Sequence, residues 1–119
     1  GWKTGDEKYM NDVSKAARVI ESNLFRPPYG RIKFSQARKI AQALQTKTAQ
    51  IILWDVLSAD FDASLSPERC LNNVLENVVA GSIIVFHDSE KAFRNLEYVL
   101  PKTLGYLNKK GFSFKKIEI

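Results

Sequence analysis

The residues with the clearest chemical potential follow apolar runs that have the composition of buried strands. Asp60 comes just after the run 51–57, and His87 and Asp88 come directly after the run 82–86. A carboxylate that hydrogen-bonds to a histidine orients the imidazole and favours its protonated form. Such a histidine suits general acid catalysis, in which it gives a proton to a leaving group. The alternative is a strand-end histidine bonded to Asp88 or to a loop carbonyl, without a catalytic role.

A third chemically capable residue is Arg26, which lies in the segment 24–30, LFRPPYG. Proline fixes φ, removes a backbone donor and pushes the preceding residue towards extended geometry. The segment therefore predicts a short strand at 24–26 whose last residue, the arginine, is held rigidly in one direction. A guanidinium held in this way can orient a second carboxylate. The alternative is a structural turn with a surface arginine.

These side chains need elements that bring them together, and the hydrophobic pattern predicts such elements. Apolar residues at helical spacing indicate four helices. The first runs from a capping box at Thr4 to about Ser22, and the second is capped by Ser35. The third begins at Ser66, and the fourth, with an apolar stripe from Phe93 through Leu96, Leu100 and Leu104 to Leu107, is kinked or restarted at Pro101.

Four strands are predicted to alternate with these helices. The runs 51–57 and 82–86 are almost uninterrupted in their apolar character, as is typical of strands buried on both faces of a parallel sheet. The strand at 24–26 precedes them, and imperfect alternation predicts a final strand at 112–119. The order αβαβαβαβ indicates an α/β fold with a mostly parallel sheet and alternating helices.

In parallel α/β folds the C-terminal ends of the strands form the functional edge. We therefore expect Arg26, Asp60 and His87 to lie together, with Asp60 within hydrogen-bond reach of His87 directly or through one water. A doubly wound nucleotide-binding domain is disfavoured, because no Gly-rich phosphate loop follows any strand. A two-carboxylate glycosidase built on Asp55 and Asp60 is conceivable, but their spacing across a strand end does not ensure that they face each other.

Composition limits which classes of protein, partner and metal site remain possible for this chain. The 119 residues are 45% hydrophobic and 26% charged, as expected for one domain or a piece of one, neither disordered nor membrane-embedded. The net charge of +5 is spread without aromatic interleaving, which does not favour a nucleic-acid partner. The single cysteine, Cys70, excludes an internal disulfide. One histidine in the sequence argues against a self-contained zinc site of the ordinary kind.

Three stretches together resemble the C-terminal half of the polysaccharide deacetylase (NodB homology) domain. They are 26–30, which reads RPPYG, the strand leading to Asp60, and 81–88, which reads GSIIVFHD. The resemblance implies part of a distorted (β/α) barrel that removes N- or O-linked acetyl groups from a polysaccharide or oligosaccharide. It also implies a divalent metal, for which zinc is the expectation, and an extracellular or cell-envelope location.

The resemblance also implies roles for individual residues. Arg26 would position a catalytic-base aspartate, and the backbone N–H of Tyr29, in the turn after Pro28, would help to bind the oxyanion. Asp60 would orient and tune His87, which would protonate the departing amine.

Departures from the family pattern lead to further expectations. Phe61 stands where a tryptophan is usual and Val85 where a leucine is usual, and both positions line the family's substrate pocket, so they bear on substrate preference. The Asp-Asp pair and the two histidines of the family's N-terminal half do not occur in this sequence. We therefore expect 1–119 to be a single partial domain that alone binds no catalytic metal, lacks activity and self-associates through the exposed edge at 24–26. The alternative is a non-catalytic carbohydrate-binding or interaction module on the same half-barrel.

Overall fold

A computed structural model describes residues 5–117 of the chain. Within this range the chain forms two compact units that divide between Leu53 and Trp54. Each unit contains one pair of parallel strands together with helices. The predicted α/β class is therefore confirmed, with its parallel pairing present in both units. The prediction that 1–119 forms a single partial domain stays a prediction.

The first unit packs helices over one strand pair. Its core consists of Tyr9, Val13, Ile40 and Ala43, and the ring of Phe25 meets that of Tyr9 edge-on at 6.4 Å between centroids. Its elements are α1 (Asp6–Ala17), β1 (Leu24–Phe25), a 3-10 turn (Pro28–Gly30), α2 (Phe34–Ala37), α3 (Ile40–Ala43) and β2 (Gln50–Ile51). β1 and β2 are parallel, with Leu24 opposite Gln50 and Phe25 opposite Ile51.

The first predicted helix ends earlier than its apolar spacing indicated. α1 stops at Ala17 instead of Ser22, and Val19 and Ile20 are 85% and 60% exposed. The hydrophobic burial that stabilises a helix in a folded domain is therefore missing beyond Ala17. The capping box predicted at Thr4 lies outside the described residues.

The second predicted helix is divided into α2 and α3, and the prediction of Ser35 as its cap is wrong. The helix starts one residue before Ser35, because the buried side chain of Gln36 reaches back and accepts the backbone N–H of Lys33 at 2.9 Å. A side-chain acceptor for this N–H satisfies one of the donors that a helix start leaves without an intrahelical partner.

The second unit carries the other strand pair. Its elements are β3 (Val56–Leu57), α4 (Pro67–Leu75), β4 (Ile84–Val85) and α5 (Glu90–Lys109). β3 and β4 are parallel, with Val56 opposite Ile84 and Leu57 opposite Val85. The predicted start of α4 is confirmed: the Ser66 hydroxyl accepts the backbone N–H of Arg69 at 3.1 Å, and Pro67 is the first helical residue.

The apolar run 51–57 is not one strand, as predicted, but is divided between β2 and β3. Between them, Asp55 Oδ1 accepts the backbone N–H of Ile83 at 2.6 Å, and the backbone N–H of Asp55 donates to the Ile83 carbonyl at 3.2 Å. The Asp55 carboxylate thus accepts the backbone N–H of Ile83, which in a continuous strand pairing would donate to a backbone carbonyl.

α5 is one continuous helix, so the predicted restart at Pro101 does not occur. Its buried face also differs from the predicted stripe, since Phe93 is 59% and Leu104 43% exposed. α5 packs against α4, and of the predicted stripe Leu107 is buried. The residues buried on α5 are Ala92, Asn95, Val99, Thr103 and Leu107.

The strand predicted at 112–119 is not present in its described part, since 112–117 forms no strand. Instead, the N–H of Phe112 bonds to the Leu107 carbonyl at 3.0 Å, and Gly111 adopts φ 87°. These are the features of a helix that ends at a glycine. The residues 112–117 that follow α5 pair with no strand in the described part of the chain. The described helices also include none whose length and apolarity would let it cross a membrane.

Candidate active site

Asp60 and His87 are brought together by the parallel pairing of β3 and β4. Each residue follows the C-terminal end of one of these strands, and parallel strands end at the same edge of their sheet. Asp60 Oδ1 lies 2.7 Å from His87 Nδ1, and Oδ2 accepts the backbone N–H of His87 at 2.7 Å. The direct contact that the strand ends predicted is therefore present. The alternative partner, Asp88, is exposed.

This pairing determines which ring nitrogen can act. Asp60 is fully buried, whereas 39% of the His87 side chain is exposed. An ionised carboxylate is an acceptor only, so Nδ1 carries the proton that faces it. The remaining nitrogen, Nε2, is the atom through which the ring can give or take a proton. The arrangement is that of a histidine oriented for general acid–base chemistry.

Phe61 packs beside the imidazole. Its ring meets that of His87 edge-on, with 5.1 Å between centroids and 76° between planes. Phe61 is 37% exposed, so it borders the open side of the pair. Phe61 thus lies next to the histidine. Its place in a substrate pocket and its effect on substrate preference stay predictions.

The loop that presents Asp60 is connected to the neighbouring strand through Ser58. The buried Ser58 hydroxyl donates to the Val85 carbonyl at 2.9 Å and accepts the Asp60 N–H at 3.3 Å. Between them, Ala59 adopts φ 61°, which a residue with a Cβ rarely does. Such a conformation persists only when its surroundings hold it.

Two asparagines, one from each helix of this unit, bind the same loop from behind. The Asn73 carboxamide NH₂ donates to the Ser58 carbonyl at 3.2 Å. That of Asn95 donates to the carbonyls of Asp60 and Asp62 at 3.1 and 3.3 Å. Sequence reasoning missed these two residues and Ser58. Their only signal was a polar residue inside an apolar helical or strand pattern.

Cys70 also faces this loop, with its Sγ 3.7 Å from the Ala59 carbonyl. Burial raises the pKa of its thiol, and the nearby negative charges of Asp60 and Asp62 act in the same direction. The neutral thiol is therefore the favoured form. Cys70 is a packing residue of α4 and not an activated nucleophile.

The segment around Arg26 forms the rigid turn that its prolines predicted. Arg26 follows β1, and its Nε donates to the Ile52 carbonyl at 3.1 Å. Pro27 is buried, Pro28 begins the 3-10 turn, and Tyr29 adopts φ 58° with 91% of its surface exposed. The convergence of Arg26 with Asp60 and His87, and the oxyanion role at Tyr29, stay predictions.

Val85 is a buried strand residue whose carbonyl accepts the Ser58 hydroxyl, so its described contact is with the Asp60 loop. Its predicted place in a substrate pocket stays a prediction. Asp55, the partner considered for a glycosidase pair, precedes β3, whereas Asp60 follows it. The two carboxylates lie at opposite ends of one strand, and the structure does not support that pairing.

The described residues do not provide a catalytic metal site. Within 5–117 no group of three or more His, Cys, Asp or Glu side chains could hold a metal ion. Catalytic zinc sites use three protein ligands and leave a position for water or substrate.

Comparison with known proteins shows what this chain is similar to. No family model matches it. It is 30% identical over 117 residues to a peptidoglycan-N-acetylglucosamine deacetylase of Bacillus cereus, covering 93% of this chain and 53% of the relative. A second enzyme of that name from Bacillus cereus is 26% identical, with 94% and 42% covered. A bifunctional xylanase/xylan deacetylase of Cellvibrio japonicus is 26% identical, with 91% and 15% covered.

A solved structure gives the same result. The crystal structure of a peptidoglycan N-acetylglucosamine deacetylase in complex with 4-naphthalen-1-yl-N-oxidanyl-benzamide matches with a TM-score of 0.80 at 26% identity. The match covers 95% of this chain and 54% of that one. The chain thus spans about half the length of the Bacillus cereus relatives and of this structure. The comparisons support the polysaccharide deacetylase family, and the fold is consistent with part of a barrel.

Proposed function

We propose that this chain is part of a metal-dependent polysaccharide deacetylase of the NodB homology type. The reaction would remove N- or O-linked acetyl groups from a carbohydrate polymer. The observation that carries the proposal is the Asp60–His87 pair, in which a buried carboxylate binds both the ring and the backbone of a partly exposed histidine. Similarity to deacetylases of peptidoglycan and xylan over more than nine-tenths of the chain supports the substrate class.

His87 would act on the leaving group. Water would add to the acetyl carbon and give its proton to the base contributed by the longer protein. As the bond between the acetyl carbon and the departing nitrogen then breaks, acetate is released, and the nitrogen takes a proton from Nε2 and leaves as the amine. The ring is left neutral, with its remaining proton on Nδ1 facing Asp60. For an O-linked acetyl group, the same proton would go to the departing oxygen.

Asp60 would keep the imidazole in the required orientation throughout this step. Because Oδ2 binds the backbone N–H of His87 while Oδ1 faces the ring, neither oxygen can move without breaking a contact. The ring is thereby held with Nε2 available to the leaving group.

The Pro-Pro turn would supply two further groups. Arg26 would orient a base aspartate contributed by other residues of the longer protein. The Tyr29 N–H, with Pro28 shaping the turn, would help to bind the oxyanion. The rigidity of the segment, with Tyr29 at φ 58°, supports this proposal.

The proposed metal, for which we name zinc, requires ligands that the described residues do not supply. We therefore propose that the ligands and the base come from other parts of the longer protein, with an extracellular or cell-envelope location.

The proposal is tested by changing His87 to alanine in a longer protein that carries this sequence. We expect kcat for an acetylated oligosaccharide to fall by roughly 10²–10⁴, because the leaving group loses its acid, while metal content stays unchanged. Changing the exposed neighbour Asp88 to alanine is the matched control and should leave kcat near its original value. Near-normal turnover in the His87 variant would refute the acid role.

The chain alone provides a second test. We expect neither stoichiometric metal nor deacetylation from the 119 residues, and self-association visible as a mass above the monomer in sedimentation. Metal-dependent turnover by this chain would contradict the assignment of the ligands to other residues. Oligosaccharide binding by a longer protein without any turnover would favour the alternative, a carbohydrate-binding module.

A further inference from the structure

Asn95 is a polar side chain in the interior of the second unit. It lies on the buried face of α5 and is 1% exposed. Its carboxamide NH₂ donates to two carbonyls of one loop, those of Asp60 at 3.1 Å and Asp62 at 3.3 Å. Its Oδ1 is buried and has no hydrogen-bond partner in the part of the chain that the structure describes.

The orientation of this carboxamide follows from its surroundings. A carbonyl oxygen accepts hydrogen bonds and donates none, so only the NH₂ group can face two carbonyls. Rotating the amide by half a turn would place Oδ1 against both acceptors. Because the NH₂ group must face the two carbonyls, Oδ1 points away from them and is left without a partner among the described residues.

The two carbonyls lie on either side of Phe61 in the chain. Asn95 therefore holds the peptide groups that flank the residue whose ring contacts His87, and one of them belongs to Asp60 itself. The same loop begins with Ala59 at φ 61°, which needs support from its neighbours.

Thr103 shows what a buried polar residue on the same helix does without such contacts. It is 2% exposed and lies two turns further along α5. Its hydroxyl has no hydrogen-bond partner within 5–117. It therefore serves as an internal reference for Asn95: same helix, same face, no bond to the loop.

We infer that Asn95 is a positioning residue for the Asp60–His87 pair. By holding the Asp60 and Asp62 carbonyls, its NH₂ keeps the Asp60 carboxylate where it can bind the His87 ring and backbone together. The geometric part of this inference stands on the contacts alone, while its meaning for catalysis rests on the proposed deacetylase function.

The chain has one histidine, so the imidazole signals in its NMR spectrum belong to a single residue. The test compares Asn95→Ala with Thr103→Ala, and follows exchange of the His87 Nδ1 proton with water. We expect exchange at least about tenfold faster in Asn95→Ala, because the variant loses both hydrogen bonds to the loop and the loss of one alone implies about tenfold, and little change in Thr103→Ala. Equal exchange in the two variants would overturn the inference.

A measurement on the unchanged chain keeps the inference testable if Asn95→Ala does not fold. The Asn95 carboxamide protons should exchange with water at least about tenfold more slowly than those of the exposed Asn108, because they are buried and bonded. Exchange as fast as at Asn108 would show that the carboxamide does not hold the loop, and would overturn the inference.

In the longer protein, positioning predicts a lower kcat for Asn95→Ala with KM nearly unchanged. If kcat is unchanged although Nδ1 exchange is faster, the catalytic inference fails, while the proposed function still stands on the His87→Ala result. If His87→Ala retains full turnover, the proposed function fails, and the NMR comparison still decides whether Asn95 holds the pair.

Discussion

Replacing Asp60 by asparagine is the most direct perturbation of the pair. The two side chains have nearly the same shape, but the carboxamide has one acceptor oxygen where the carboxylate has two. Both Asp60 oxygens are in use, each 2.7 Å from a nitrogen of His87. In the variant, one of these nitrogens must face an NH₂ group.

The expected loss of stability follows from the two contacts. The bond from the His87 backbone N–H to a fully buried carboxylate is charge-assisted, and such bonds contribute roughly 1.5–3 kcal/mol. The contact with the partly exposed ring contributes about 1 kcal/mol. Because asparagine can replace one acceptor but not both, we expect the free energy of unfolding to fall by about 2–3 kcal/mol. That is a large part of the roughly 5–15 kcal/mol typical of a folded domain.

Urea denaturation of Asp60→Asn measures this loss, with Asp88→Asn as the matched control. Asp88 follows His87 directly and is exposed, so its substitution removes the same charge from the same neighbourhood. We expect the control to change stability by less than about 0.5 kcal/mol, as is usual for surface substitutions. The Nδ1 proton signal of His87 should also weaken or disappear in Asp60→Asn alone. A loss no larger than that of the control would refute the central place given to the pair.

Two further predictions concern α4. Ser66→Ala should lower the free energy of unfolding by about 1 kcal/mol, because the Arg69 N–H loses its cap at 3.1 Å, while exposed Ser113→Ala in the same denaturation assay should not. For Cys70, burial raises the folded pKa above the unfolded value of about 8.5, so its stabilising contribution is complete below that pH and is lost as pH rises through the folded pKa. Stability should therefore fall more between pH 8 and pH 10 in the unchanged chain than in Cys70→Ala, and equal slopes would contradict this.

The features that the sequence predicted correctly have local causes or depend on a single general rule. The start of α4 needs only a serine, a proline and an apolar stripe, all adjacent in the chain. The Asp60–His87 contact depended on one non-local rule, that parallel strands end at one edge, and both residues follow strands that do pair in parallel. That rule was enough because both residues come within three positions of a strand end.

The features that the sequence did not predict depend on which neighbour each segment meets. The run 51–57 is almost uninterrupted in its apolar character, and nothing in it indicated that Asp55 would bind Ile83 ahead of β3 and that the run would be divided between two strands. On α5, hydrophobicity ranked Phe93 and Leu104 above their smaller neighbours. α5 packs against α4, and the face that it buries carries Ala92, Asn95, Val99 and Thr103 together with Leu107 of the predicted stripe.

Asn95 is a polar side chain that the core holds directly behind the candidate site. An apolar side chain at this position would remove the unpartnered Oδ1, but it would also take the NH₂ donor away from the Asp60 and Asp62 carbonyls. The only bonds that the structure shows for its carboxamide run to the loop that carries Asp60. A buried polar residue with one unpartnered oxygen that holds a candidate functional loop is the kind of local inconsistency expected at a functional site. α5 therefore does two things: it packs against α4, and its buried asparagine sets the position of Asp60.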